Sequence, residues 1–368
     1  MRRTCHVACH RIFRRHSSSA AASLLLVGVD SGTQSTKACV FDGRTGTLLA
    51  EASAANTIHS PIDGHAEQSI GEWRSGLFAA IRDAVALVPK ERQAPVGAIG
   101  LSFQRESFTL VAPPEADQEL VPLRPAILWL DGRADGECEV IRRAAGATAV
   151  TADHYHEVTG KPLDVTSAMA RMQWLARHEP SVLSQPHHWV DCGAVLSHAL
   201  TGNLTTCVAG CDTAGLIDLS QRQWSLPILE AAGLTLEQMP LLAEPGELLG
   251  GVSAAAAAEL GGSVSAGCPV VAAGGDGQVF NLGMSAGNGG RGAGGMMLTL
   301  GTSVVLSVGS TSASIAPAYR TLAAADGLSY TMESVVQSGT LILKWFVAEF
   351  GAGDGFDHWG RAVRHTHF

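Results

Sequence analysis

Charge and aromatic rings are both scarce in this 368-residue chain: Asp, Glu, Lys and Arg together make 16% and Phe, Trp and Tyr 5%. So few charges beside 46% hydrophobic residues exclude a disordered chain and describe a globular protein of about two domains with sizeable cores. A basic excess is missing too. The formal net charge of −9 and a pI near 5.8 exclude the broad cationic face that a nucleic-acid binder needs. No apolar run reaches the roughly 18 residues of a membrane span, so the expected partner is a small molecule. The eight cysteines are scattered through a chain too large to need stapling, which predicts free thiols. Cys207 and Cys211 lack a nearby pair of His or Cys to complete four metal ligands, and they read as structural thiols.

Acidic residues are absent from residues 1–23, MRRTCHVACHRIFRRHSSSAAAS, which carry five Arg, three His and four Ser. That composition, without a long apolar h-region, fits a mitochondrial or plastid transit peptide better than a secretory signal. The competing reading is an unselected leader on a cytoplasmic protein. Either way the fold is expected to begin near Leu24.

What is present is organised around residues 24–42, LLLVGVDSGTQSTKACVFD: two apolar runs joined by a small polar turn. The pattern predicts a hairpin with Asp30 at the end of its first strand. Gly32 lets backbone approach an anion closely, and the N–H groups and hydroxyls of the turn can form an anion-binding nest. Asp30 beside such a nest would hold Mg²⁺ through water. The alternative is an ordinary hairpin whose Asp and Thr only satisfy the turn. A second strand-turn-strand pattern, MLTLGTSVVLSV at 297–308, favours the first reading, because two such loops suggest two related lobes closing on one polyphosphate. At this level the chain resembles the actin, hexokinase and Hsp70 superfamily of ATPases.

Between these loops, residues 47–54 read as a third strand, and Trp73, Leu77, Ile81 and Val85 have helical spacing. Residues 96–101 predict a buried strand running into Gln104-Arg105-Glu106. A donor and an acceptor at the carboxyl end of a strand suit neighbouring hydroxyls of a polyol, against the plainer reading of a surface ion pair. PAILWLDGR at 125–133 reads as another apolar strand. In residues 157–178 a Gly-Lys-Pro turn precedes a helix with Met169, Met172 and Leu175 on one core-packing face.

Ten segments in order, among them VGVDSGTQSTKACVFD, GLSFQRESF, RPAILWLDGRA, TGKPLD, DTAGLIDL, PVVAAGGDGQ and LTLGTS, resemble the FGGY family of carbohydrate kinases, over about residues 24–350. The resemblance implies an α/β fold of the actin/hexokinase/Hsp70-like (ribonuclease H-like) type. It implies an N-terminal sugar-binding domain at 24–285 and part of a C-terminal nucleotide-binding domain at 294–368, after the leader at 1–23. It further implies ATP and Mg²⁺ as cofactors, a sugar as substrate, and a homodimer. Asp276 then matches the catalytic base, Gly32, Thr33 and Gln34 the first phosphate loop, and Gly301, Thr302 and Ser303 the second. Asp30 matches the Mg²⁺-side carboxylate, and Arg105 and Glu106 the substrate-contacting pair of glycerol-kinase-like members.

The chain departs from the family pattern in three places. Xylulokinases carry a Met-His or Gln-His pair where this chain has Gln104-Arg105-Glu106. Glycerol kinases carry a Tyr where this chain has Thr166, which leaves room for more carbons than glycerol has. A Gly-Gly-Gly-Ala adenosine loop and a Gly-Glu-Arg segment have no counterpart. The sequence therefore predicts phosphorylation of a ketopentose or related polyol, with glycerol as the alternative substrate and a non-catalytic sugar-binding remnant as the alternative class. Sugar recognition is expected to depend mainly on residues before Asp276.

Overall fold

Strict alternation of buried and exposed residues makes β1 (Leu25–Ser31) a strand with one face in the core: Leu25, Val27 and Val29 are buried and their neighbours are not. It turns back into β2 (Ser35–Asp42) and then β3 (Leu48–Ala55), pairing antiparallel as the predicted hairpin and third strand, with Asp30 opposite Lys37. The computed structural model describes residues 24–114, 118–143, 150–286, 295–300 and 304–336. The leader at 1–23 and the turn Gly301, Thr302 and Ser303 lie outside the described residues.

Three further strands complete the main sheet: β4 (Val96–Phe103), β5 (Leu248–Gly251) and β6 (Pro269–Gly275), in the order β5-β6-β4-β1-β2-β3. β1, β4 and β6 run parallel and in step, so Ser31 lies beside Phe103 and Phe103 beside Gly275. Three carboxyl ends thus meet at one edge. Helix α1 (Ile70–Ala86) covers a face of this sheet with Trp73, Leu77 and Ile81, all fully buried at the predicted spacing, and Ser69 caps its start by accepting from Gly71 N–H. Its burial is what holds the sheet flat face dry.

A second core gathers around α2 (Ala168–His178), whose Met169, Met172 and Leu175 are buried as expected. It also includes the stacked rings of Phe108 and Trp189. The stretch at 125–133 differs from its expectation: only Ala126–Ile127 is strand. Asp131 accepts from Ala66 N–H at 2.6 Å and from the Arg133 backbone and guanidinium, which turns the chain before more ladder can form. Beyond the main sheet, β7 (Met296–Leu300), β8 (Val304–Ser310), β9 (Arg320–Ala323) and β10 (Tyr330–Val336) make an antiparallel sheet in the order β7-β8-β10-β9. The pairing of β7 with β8 is the second predicted hairpin. Two backbone donors of this sheet bond to the rest: Thr321 N–H donates to Gly160 O, and Ala323 N–H to the buried Asp212 carboxylate, each at 2.7 Å.

Candidate active site

The shared edge of β1, β4 and β6 places Asp30, Arg105, Glu106 and Asp276 around one region, although they are far apart in sequence. Asp276 opens α3 (Asp276–Ala286), and its Oδ1 accepts from Gly277 N–H at 2.7 Å and pairs with Arg105 Nε at 3.0 Å. The preceding glycines make this approach feasible. Gly274 has φ of +132°, and a Cβ on Gly275 would stand 2.6 Å from Arg105 Cγ.

A cleft of about 320 Å³ opens here, within the ~300–1,000 Å³ range of small-molecule sites. Arg105, Glu106, Trp129, Asp164, Thr166 and Asp276 line one side, and Val305, Tyr319, Arg320 and Glu333 line the other. Residues up to Asp276 make one wall of the cleft, and β8, β9 and β10 build the opposing one. The physical reason is that a strand edge alone is open to water, and a second sheet is needed to enclose a ligand.

Charge inside the cleft alternates along one chain of contacts. Lys161 Nζ reaches Glu106 Oε1 at 2.5 Å, and Arg320 Nη1 reaches the same oxygen at 2.6 Å. Arg320 Nε donates to Glu333 at 2.8 Å, Arg105 Nη1 meets Glu333 at 3.2 Å, and Arg105 pairs with Asp276. Three cations face three carboxylates. Burial opposes ionisation of Glu106, yet Lys161, Arg320 and Arg105 together hold its carboxyl well below the usual range. Glu333 is likewise lowered, against its burial, by Arg105 and Arg320. The backbone of Glu106 sits at φ +60°, a costly conformation for a residue with a Cβ. The fully buried Arg171 fixes it there, donating to Glu106 O at 2.7 Å and to the carbonyls of Trp129, Asp131 and Val165.

Each of three carboxylates keeps one oxygen for a ligand. Glu106 Oε2, Asp276 Oδ2 and Asp164 Oδ2 accept no hydrogen bond among the described residues, whereas their partner oxygens are engaged. Asp30 lies close by; lost hydration and the charge of Asp276 raise its pKa, while Ser102 and Lys37 oppose the rise. In the turn after β1, Thr33 Oγ1 accepts from the Trp129 indole at 2.8 Å, and Asn56 donates to Gly32 O, so the first loop touches the cleft wall. Gln34 is exposed.

Sequence reasoning missed Lys161, Asp164, Arg320, Glu333 and Arg171. The six described cysteines are free thiols, and burial pushes those of Cys207 and Cys211 up. Among the described residues no group of three or more His, Cys, Asp or Glu is arranged to hold a metal, and no helix is long and apolar enough to cross a membrane.

Residues 25–283 match the model of the FGGY family of carbohydrate kinases, N-terminal domain. The chain is 29% identical over 283 residues to a xylulose kinase of Escherichia coli (strain K12), covering 76% of this chain and 53% of that protein. It is 31% identical over 262 residues to an autoinducer-2 kinase of Yersinia pseudotuberculosis serotype O:3 (strain YPIII), covering 70% of this chain and 47% of that protein. The chain spans about half the length of these curated relatives. The crystal structure of a xylulose kinase from Rhodospirillum rubrum superposes with a TM-score of 0.81 at 23% identity, over 92% of this chain and 65% of that one. The fold is thus of the expected actin/hexokinase-like type, and the chain belongs to the FGGY family of carbohydrate kinases.

Proposed function

We propose that this cleft binds a ketopentose or a related polyol and presents one of its hydroxyls for ATP-dependent phosphorylation. The observation that carries the reading is the set of three carboxylates around one cleft, each with one oxygen fixed by the protein and the other free. Hydroxyl groups donate to carboxylate oxygens, so such a site suits a neutral, hydroxyl-rich ligand.

Asp276 acts as the general base in this reading. With Oδ1 held by Arg105 and Gly277 N–H, its other oxygen accepts the proton of the attacking hydroxyl as the new O–P bond forms and the bond to the ADP leaving group breaks. Arg105 and Glu106 orient the neighbouring hydroxyls. Gly32, Thr33 and Gln34, with Gly301, Thr302 and Ser303, would hold the phosphates. Mg²⁺ fits at Asp30, whose Oδ2 has no partner among the described residues and whose pKa is raised chiefly by burial, with the charge of Asp276 adding to the rise. One or two carboxylates plus substrate phosphates is a usual Mg²⁺ arrangement, and the bound ion would neutralise charge on those phosphates.

Calorimetry with D-xylulose, D-ribulose, xylitol and glycerol tests the binding half, and ADP release in the full-length protein tests the chemistry. Asp276→Asn should keep acceptor affinity within about threefold while turnover falls by at least about two orders of magnitude. Binding of none of these ligands, or an Asp276→Asn variant with near-normal turnover, would refute the reading.

A further inference from the structure

The proposed reading uses Asp276, Arg105 and Glu106, and leaves the third carboxylate of the cleft without a task. Asp164 is held firmly by its own turn: Oδ1 accepts from Thr166 N–H at 2.9 Å and from Thr166 Oγ1 at 2.7 Å, with Ser167 Oγ at 3.4 Å. Lys161 Nζ stands 3.4 Å from the same oxygen. Oδ2 is left over, on a side chain 42% exposed in the wall of the cleft. A turn needs only one carboxylate oxygen, so the second is not explained by local structure.

Its position in the contact chain is informative. Asp276 stands at one end, joined through Arg105, Glu333, Arg320, Glu106 and Lys161 to Asp164 at the other. No hydrogen bond or ion pair links Asp164 to Arg105 or Asp276 among the described residues. Among these residues Asp164 joins the chain only through Lys161, at the end opposite Asp276. The small Thr166 side chain turns its hydroxyl to Asp164 and Lys161 and leaves the cleft open on that side.

Resting on the proposed function, we infer that Asp164 is a specificity-determining residue: its free oxygen accepts a hydrogen bond from a hydroxyl at the end of the acceptor remote from the phosphorylated one. It thereby selects a linear pentulose or pentitol over glycerol. A site that has placed a charged acceptor for a hydroxyl favours the ligand that supplies one over a ligand that leaves the oxygen to water.

The test compares pentulose and glycerol affinity in the wild-type chain, Asp164→Asn and Asp164→Ala, by calorimetry, with thermal unfolding as the check on folding. Asp164→Asn retains an oxygen for the turn. A hydrogen bond to a charged group corresponds to about 10- to 100-fold in affinity, so the wild type should prefer the pentulose by at least about tenfold. Both variants should lose most of that preference through weaker pentulose binding, with glycerol affinity within about twofold. A pentulose deoxygenated at the remote terminal carbon should bind the wild type about tenfold more weakly and Asp164→Ala no differently, a coupling that general loosening would not produce. A wild type that prefers glycerol, or folded variants that keep the wild-type preference, would overturn the role of Asp164 and leave the kinase reading intact. Binding of neither ligand by the wild type would refute the proposed function itself.

Discussion

Replacing Glu333 by Gln keeps the shape of a side chain that is only 1% exposed and removes one charge from the middle of the ion chain. Arg105, at 3.2 Å, and Arg320, at 2.8 Å through Nε, then share a neutral amide. Each guanidinium keeps one carboxylate, Asp276 or Glu106, but both lose the buried carboxylate they share. Breaking a buried pair costs about 3–5 kcal/mol, chiefly because the remaining charge has lost its hydration. At about 2–4 °C per kcal/mol for a domain of 150–250 residues, Tm should fall by roughly 6–20 °C in scanning calorimetry. The double variant Arg320→Gln/Glu333→Gln decides whether charge balance is the cause. It removes one of the two guanidinium charges that Glu333 no longer neutralises, and should unfold at a higher temperature than Glu333→Gln alone. A loss below about 1 kcal/mol, or a double variant whose losses simply add, would refute the argument.

Other outcomes follow from the same structure. Burial raises the Asp212 carboxyl from 3.8 to about 6, against hydrogen bonds from the backbones of Gly210 and Ala323. A raised folded pKa means stability that is fully present below about 3.8 and lost as pH rises through about 6, on the order of 3 kcal/mol. The stability difference between wild type and Asp212→Asn, from urea unfolding, should therefore shift by about that amount in favour of the variant between pH 4 and 7; a pH-independent difference would count against it. Gly160→Ala should weaken the attachment of the β9–β10 sheet, since Gly160 has φ of +72° and a Cβ there would collide with the Thr321 carbonyl. Faster proteolysis within 295–336 is the expected result, and unchanged digestion would contradict it. A fusion of residues 1–23 to a fluorescent protein should leave the cytosol if the Arg-rich, acid-free leader is a transit peptide. Diffuse cytosolic signal in the native cell type would show that it is not.

The β1–β2 hairpin was legible because its side chains alternate between core and solvent, a pattern written in adjacent residues. Arg105, Glu106 and Asp276 were legible because they follow apolar strands, and parallel strands in step bring their ends together. Arg320 and Glu333 were not, because their partner Arg105 or Glu106 lies more than 200 residues away, and nothing local fixes which distant charges will meet. The stretch at 125–133 misled for the opposite reason. Ala126, Ile127 and Leu128 do reach the core, but Asp131 and Arg133 satisfy one another and turn the chain, so hydrophobicity alone overstated the strand.

One indole belongs to two places at once. Trp129 lines the cleft, and its Nε1–H is donated to Thr33 Oγ1 in the loop after β1. Any ligand that reorients the ring must therefore stretch or release the Thr33 hydroxyl, and any phosphate that captures that hydroxyl must leave the indole to find another acceptor. Linkage requires that such an influence be mutual, so that the acceptor changes nucleotide affinity by the same factor as nucleotide changes acceptor affinity. The emission of this tryptophan would register both events, which makes the order in which two ligands load an optical measurement.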